Sequence, residues 1–328
     1  MNRSPLNRNR FFISVICLIL YATIANGRIL KVDQDPDNED ADYNSVHSAL
    51  VAAQPGDTIL IIGPDIDTYT DFPSENVEAD VTIMGVHTNQ DSFPVLSFKS
   101  DGWKHWWQNA HTGTTNFYRV RLDNCNRITL GKTERTLKIN ACVIENFEED
   151  TVFYFSQPSR NRFLIVTNSI FYNNSWVFSD IIDYNGNADY YGIVVNCTFY
   201  SNGVVNEDRN ADASIINSNQ IVNIQNSIFW LNGEVASPAI TKKYDYCLSV
   251  YNANWGENCV VAPTDPGFLF PNPLIPSDFA LKSTSKAINK ANSNLPSDLI
   301  DTVLLHYDIA GNDRRTTPGY DIGAFEWV

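Results

Sequence analysis

Between residues 99 and 138 the sequence gathers groups suited to holding an anion. The window contains Lys99, Lys104, Arg119, Arg121, Arg127, Lys132, Arg135 and Lys138 against only Asp101, Asp123 and Glu134. His105 and His111 lie in it, together with Trp103, Trp106 and Trp107. A guanidinium forms paired hydrogen bonds to a carboxylate or sulfate, and an indole face packs against apolar surface, such as the C–H face of a sugar ring. These residue types point to an acidic polysaccharide, with Trp103, Lys104, His105, Trp106, Trp107, Arg119 and Arg121 as the candidate contacts. The competing use is structural: Trp is highly buried on average, and the basic groups then balance neighbouring acids. Turnover of a uronic-acid polymer by elimination needs a base for the proton next to the carboxyl group and cations for the charge that develops. His105, Lys104, Arg119 and Arg121 are the local set that offers both.

Little else in the chain invites chemistry, and no catalytic residue is assigned. It has no nucleophile elbow, phosphate loop, His-Glu-x-x-His or dinucleotide fingerprint. Asp33, Asp35 and Asp37 form an Asp-x-Asp-x-Asp run that invites calcium. It departs from the EF-hand loop, because Asn38 stands where the sharp-turn Gly belongs and Asn44 where the bidentate Glu belongs. A solvated acidic loop is the preferred reading, calcium the only cofactor kept open. No Cys/His spacing resembles a zinc site, so no metal site is assigned. A net charge of −15 argues against nucleic acid as a partner, since phosphate binding calls for a basic face.

Residues 1–27 read as a secretion signal. Arg3, Arg8 and Arg10 precede an apolar run from Phe11 to Ala22, and Ala25 and Gly27 supply small residues before a cut ahead of Arg28. The run is too short to span a bilayer, and no later segment is a membrane span. Of the remaining cysteines, Cys125, Cys142, Cys197, Cys247 and Cys259, the last two are the disulfide candidates, and Cys197 reads as a buried thiol. Asn173 and Asn196 begin formal glycosylation sequons, but Asn196 is expected to be buried.

These groups must be carried by a repeat. A pattern starts at Asn140, Asn168, Asn196 and Asn226, at intervals of 28, 28 and 30 residues. The next residue is small (Ala141, Ser169, Cys197, Ser227). Two further on is an apolar residue (Val143, Phe171, Phe199, Phe229), and the seventh is again Asn (Asn146, Asn174, Asn202, Asn232). Alternation puts the small and the apolar position on one strand face. A fixed period in this range with β-type residues and no two-residue hairpin signal predicts stacked parallel coils. Phe171, Phe199 and Phe229 then form one stack, and Asn140, Asn168, Asn196 and Asn226 an amide ladder, since a buried amide must be paired. Apolar content of 43% supports a continuous core. Ser45 to Ala53 is the best helix, N-capped by Ser45 and stopped by Pro55-Gly56. Reading Phe117 to Leu122 as one strand with Val120 and Leu122 inward points Arg119 and Arg121 outward.

Coils of the form Asn-x-x-Phe-x-x-Asn resemble the right-handed parallel β-helix, or pectin-lyase-like, superfamily. More narrowly they resemble β-helix repeat proteins secreted by Bacteroidetes-type bacteria. The strand, acidic loop, helix and Pro55-Gly-Asp-Thr-Ile-Leu60 order is similar to the entry region of such solenoids. The segments Asp278-Phe-Ala-Leu-Lys-Ser-Thr-Ser-Lys-Ala-Ile-Asn-Lys290, Asp308-Ile-Ala-Gly-Asn-Asp-Arg-Arg315 and Gly319-Tyr-Asp-Ile-Gly-Ala-Phe-Glu-Trp327 are similar to their end region. The resemblance covers nearly all of residues 28–328. It implies a fold and no catalytic residue: the Asn-Thr-Asp, Asp-Asp and Gly-His-Gly set of polygalacturonases and the Asp-His with Arg-x-Pro-x-x-Arg set of pectate lyases are absent. Family members often carry a surface anchor after the final Glu; this chain stops at Val328, and an exported protein without an anchor is expected.

The expectation is therefore an all-β chain: a signal peptide (1–27), an N-terminal strand and capping helix (28–57), right-handed parallel β-helix coils (58–261) and a loop-rich C-terminal cap (262–328). The functional expectation is a secreted module that binds an acidic extracellular polysaccharide. The alternatives are a lyase or hydrolase of a uronic-acid polymer and a structural or surface-layer scaffold. Oligomeric state is not read from the sequence.

Overall fold

The computed structural model describes residues 27–63, 68–72, 80–87, 89–98, 105–108, 113–125, 127–130, 135–147, 151–155, 162–180, 190–202, 216–217, 221–232, 243–249, 258–262, 265–270, 272–295, 305–316 and 319–328. The chain opens with β1 (Ile29–Val32) and α1 (Val46–Ala52), and then winds in coils. The first coil lays down β2 (Thr58–Ile61) and β3 (Thr68–Phe72), and the second β4 (Thr82–Gly85), β5 (Val95–Phe98) and β6 (His105–Gln108). Next come β7 (Gly113–Tyr118), β8 (Arg121–Asp123) and β9 (Arg127–Leu130), then β10 (Arg135–Asn140), β11 (Val143–Glu145) and β12 (Thr151–Phe155). These are followed by β13 (Arg162–Thr167), β14 (Ile170–Tyr172) and β15 (Trp176–Asp180), and by β16 (Tyr190–Val195), β17 (Thr198–Tyr200) and β18 (Ile216–Asn217). The last described strands are β19 (Ile221–Gln225), β20 (Ile228–Trp230), β21 (Lys243–Asp245), β22 (Leu248–Ser249) and β23 (Val260–Val261).

Equivalent strands of successive coils pair in parallel and build three sheets. The first runs β1-β2-β4-β7-β10-β13-β16-β19-β21, the second β23-β22-β20-β17-β14-β11-β8-β5-β3, and the third β18-β15-β12-β9-β6. Parallel pairing demands a long return between partners, and the rest of each coil is that return. The interior is one apolar column. Phe171 stacks on Phe199 with ring centroids 4.8 Å apart, and Phe199 on Phe229 at 4.7 Å. That spacing is the inter-strand distance itself.

From β7 onward a tight turn joins the first sheet to the second. Its leading residue is left-handed: Arg119, Ala141, Asn168, Asn196, Asn226 and Tyr246 all have φ between 50° and 55°, and Asn258, at 66°, takes the same place ahead of β23. Asn tolerates this region better than other residues with a side chain. The amides then bond coil to coil, Asn196 Nδ2 donating to Asn168 Oδ1 at 3.2 Å and Asn226 Nδ2 to Asn196 Oδ1 at 3.1 Å. A second ladder follows the second sheet. Asn174 Nδ2 donates to Asn202 Oδ1 at 2.8 Å, and Asn202 Nδ2 to Asn232 Oδ1 at 3.0 Å.

Asn140 is not a rung of the first ladder, which corrects the sequence reading. It ends β10 opposite Thr167, to whose Oγ1 its amide donates at 2.5 Å, and Ala141 takes the turn position beside Asn168. This coil repeats after 27 residues rather than 28, so the whole motif slips by one. In consequence Ile144, not Val143, lies opposite Phe171, and Val143 lies opposite Ile170.

Helix α1 closes the N-terminal end. Ser45 accepts from the Ser48 N–H as its cap, and Val46 and Ala49 are buried in the solenoid core. The C-terminal segment lies along the flank rather than across the other end. Phe268, Phe279, Leu281, Ile309, Ile322 and Phe325 pack on the outer face of the second sheet against Val143, Ile170, Ile228 and Leu248. Leu305 packs against Ile165, Ile193 and Val195 of the first sheet. Each such fully buried side chain is worth roughly 1.5–3 kcal/mol.

Candidate carbohydrate-binding face

The aromatic and basic window falls on all three sheets. His105–Gln108 is β6, the outermost described strand of the third sheet. It pairs with β9, setting His105 opposite Arg127, Trp106 opposite Ile128 and Trp107 opposite Thr129. Ile128 in turn lies opposite Phe153, and both are fully buried. In this register Trp106 lies opposite the buried Ile128, Trp107 opposite the buried Thr129, and His105 opposite the part-exposed Arg127. Trp103 and Lys104 lie outside the described residues. Among the described residues, the C-terminal segment packs on the second sheet and part of the first.

Arg119 does not point outward. The chain bends between β7 and β8 instead of running as one strand, so alternation does not carry across. Arg119 sits in the left-handed turn position, is 4% exposed, and places its guanidinium carbon 5.2 Å from the Tyr118 ring centroid.

Arg121 stands on the outer face of β8, but its charge is already used. Its Nε donates to Glu145 Oε1 at 2.7 Å and its Nη2 lies 2.5 Å from the same oxygen. Burial works against the Arg121 charge, but the Glu145 carboxylate prevails and holds the guanidinium above its ordinary pKa. Tyr172 lies opposite Glu145 in the register. Burial first, then the Glu145 charge, push its phenol above the usual tyrosine range. Asp123, opposite Glu145 on the other side, accepts from Asn146 Nδ2 at 2.7 Å. Sequence reading missed Glu145 as the partner of Arg121, and Tyr172 as the neighbour of Glu145. The available signal was spacing: Arg121 and Glu145 are 24 residues apart, close to one coil.

The most specific motif of the sequence turns out to be a clasp. Arg314 is fully buried, and its Nη1 reaches Glu326 Oε2 at 3.1 Å and the Asp321 carbonyl at 3.2 Å. Its Nη2 donates to the Gly323 carbonyl at 2.9 Å and reaches Asn168 Oδ1, in the first ladder, at 3.4 Å. Asp308 accepts from the backbone of Asn312 and Glu326, and Asp321 from that of Asn289 and Trp327. Gly323 donates to the Asn226 carbonyl at 2.7 Å, with φ of 103° and no room for a side chain, since a Cβ there would stand 2.6 Å from Ile228. These charges fasten the C-terminal segment to the solenoid.

The acidic loop is likewise self-contained. Asp33 accepts from the Asp35 N–H and the Asn38 amide, Asp35 from Asp37 N–H, and Asp42 from Lys31 N–H. Among the described residues, no cluster of three His, Cys, Asp or Glu is arranged to hold a metal ion.

No family model matches the chain, and no curated protein matches it. Among solved structures, the pectate lyase Pel9A is similar over 92% of this chain and 96% of its own, at 13% identity and a TM-score of 0.40. The pectin methylesterase from Aspergillus niger in deglycosylated form is similar over 72% of this chain and 86% of its own, at 11% identity and a TM-score of 0.34. The class itself follows from the strand register. Three in-register parallel sheets around one apolar column make this chain a parallel β-helix.

Proposed function

We propose that this chain is an exported module that binds an acidic polysaccharide on its third sheet, at the end formed by β6 and β9. The observation that carries the reading is the register there: His105 lies opposite the part-exposed Arg127, with Trp107 two residues further along β6. The rest of the chain is strongly acidic, so an anionic polymer is drawn to the basic window and repelled elsewhere. Arg121 is bound to Glu145 and leaves the contact set; Trp103, Lys104, His105, Trp107 and Arg127 remain. Export is read from the leader-like residues 1–27, of which 1–26 lie outside the described residues.

The test is affinity electrophoresis of the full chain through gels containing pectate, alginate or chondroitin sulfate. The same samples are watched for the ultraviolet absorbance of an unsaturated product. Retardation that fades with added salt and yields no absorbance supports a binding module. Rising absorbance would make the protein a lyase. Migration unchanged in every gel would leave a scaffold.

A further inference from the structure

Inside the first tight turn, one inward row runs through seven successive rungs of the solenoid. Strand register orders it as Val120, Cys142, Ser169, Cys197, Ser227, Cys247 and Cys259. The rungs are joined by backbone bonds as well: Cys142 N–H donates to Ser169 Oγ at 3.1 Å, Cys197 N–H to Ser227 Oγ at 3.2 Å, and Val260 N–H to the Cys247 carbonyl at 2.7 Å. A serine separates Cys142 from Cys197 and Cys197 from Cys247. Cys247 and Cys259 are the one pair in this row on adjacent coils. Neighbouring rungs are about 4.8 Å apart, inside the range of about 4.4–6.8 Å that a disulfide requires between Cα atoms. Rungs two coils apart stand at about twice that spacing, outside the range.

The two thiols differ in a way that assigns them roles. Cys247 is fully buried, and its Sγ lies 3.5 Å from the Asp245 carbonyl and 3.6 Å from that of Ile224. Cys259 is part-exposed on the last described coil. We propose that Cys247 and Cys259 form a dithiol site that reacts with small-molecule disulfides and closes into a disulfide fastening the last coil. The Cys259 thiolate attacks one sulfur of glutathione disulfide, forming a mixed disulfide and releasing one glutathione thiolate. Cys247 attacks the Cys259 sulfur and expels the second glutathione thiolate, which takes up the Cys247 proton. Two protein thiols are oxidised, and one small disulfide is reduced to two thiols. A hydrogen bond from Cys247, outweighing burial, lowers the Cys259 thiol to about 7, which favours it as the attacking group. Burial raises Cys247 well above its ordinary value, as suits a group that acts second.

The experiment uses the full chain, reduced and then treated with glutathione disulfide, denatured, alkylated with iodoacetamide and mapped by peptide mass. Treatment is expected to remove two alkylatable thiols and to yield one cross-linked peptide pair carrying Cys247 and Cys259, lighter than the two unalkylated peptides together by about 2 Da, two hydrogens. In Cys247→Ser the reaction is expected to stop at glutathione attached to Cys259. Serine fits this row, since Ser169 and Ser227 occupy it. Both thiols still alkylatable after treatment, a cross-link between other cysteines, or wild-type protein that keeps glutathione on Cys259 would each overturn the proposal. Should Cys247→Ser fail to fold, the wild-type peptide map decides alone.

Discussion

Arg314 and Glu326 form an ion pair at 3.1 Å in which neither side chain has exposed surface. A buried pair of this kind is held in place by its other bonds, and removing one member strands the other. Glu326→Ala is expected to destabilise the protein by about 3–5 kcal/mol. Urea denaturation checks the loss, and limited proteolysis of the C-terminal segment checks where it acts. A loss confined to surface-like values would mean that the clasp is not what fastens that segment.

The two asparagines that the sequence treats alike are expected to behave differently. Asn196 accepts from Asn226, donates to Asn168 and holds φ at 55°. Asn196→Leu therefore removes one bond from each neighbouring amide, leaves one N–H of the Asn226 amide unpaired while its other bond to the Asn292 carbonyl stays, and strains the turn, at about 1–3 kcal/mol for the unpaired group. Asn140→Ala loses one bond to Thr167 from ordinary strand backbone, worth about 1 kcal/mol. Equal losses in chemical denaturation would contradict the register.

That contrast also separates what the sequence could reveal from what it could not. The 28-residue period and Phe199 between Phe171 and Phe229 are side-chain types at fixed spacing, and they lead directly to stacked coils. Ser45 caps α1 through a local rule. Ala141 in the turn was hidden because one coil is a residue shorter, and Asn140 offered a false match. Strand β6 was hidden because Trp and His adjacent to Lys read as a loop. Arg121 looked like a free cation because its partner, Glu145, lies a coil away, where no local pattern points. Arg314 belongs to a recognisable motif, yet its role appears only when residues 308–326 fold onto Asn168.

Leu231 offers a gain in stability. It follows the second sheet at φ of 50° and is 47% exposed, so a branched apolar residue holds a strained turn while contributing little burial. Asn173 holds the equivalent turn two coils earlier. Leu231→Asn is expected to stabilise the protein by about 1 kcal/mol, the cost of the left-handed conformation. A thermal melt with no rise would place the strain elsewhere.

The reactivity of Cys259 has a sign that can be worked out. Its thiol is lowered to about 7, principally by the Cys247 hydrogen bond; burial and the Asp245 charge oppose the shift. The thiolate is the nucleophile. Native-state alkylation of Cys259 should thus climb through pH 7 and level off about one unit above it, whereas an ordinary thiol is still climbing at its value of about 8.5. Cys142 and Cys197, pushed up to about 12 by burial, should stay unmodified throughout. Rates that climb together for all three thiols would show that unfolding, not the native pair, controls access.

Two arginines of the basic window should separate binding from structure. Arg121→Ala removes the partner of Glu145, whose side chain is 2% exposed, and leaves a buried carboxylate without its cation. That change is expected to cost about 3 kcal/mol or more in stability, and to weaken glycan retention only as far as the fold is lost. Arg127 sits opposite His105 on the third sheet, at the proposed contact. Arg127→Ala is expected to weaken retention in pectate or chondroitin sulfate gels by about 1–2 kcal/mol at low salt, in the range of a truncated contact residue, with less change in the melt than Arg121→Ala produces. The mutant that migrates faster while still folded identifies the face. If Arg121→Ala lowers retention at an unchanged melting temperature and Arg127→Ala does nothing, the polymer lies on the second sheet beside the C-terminal segment, and the third sheet is only a wall of the solenoid.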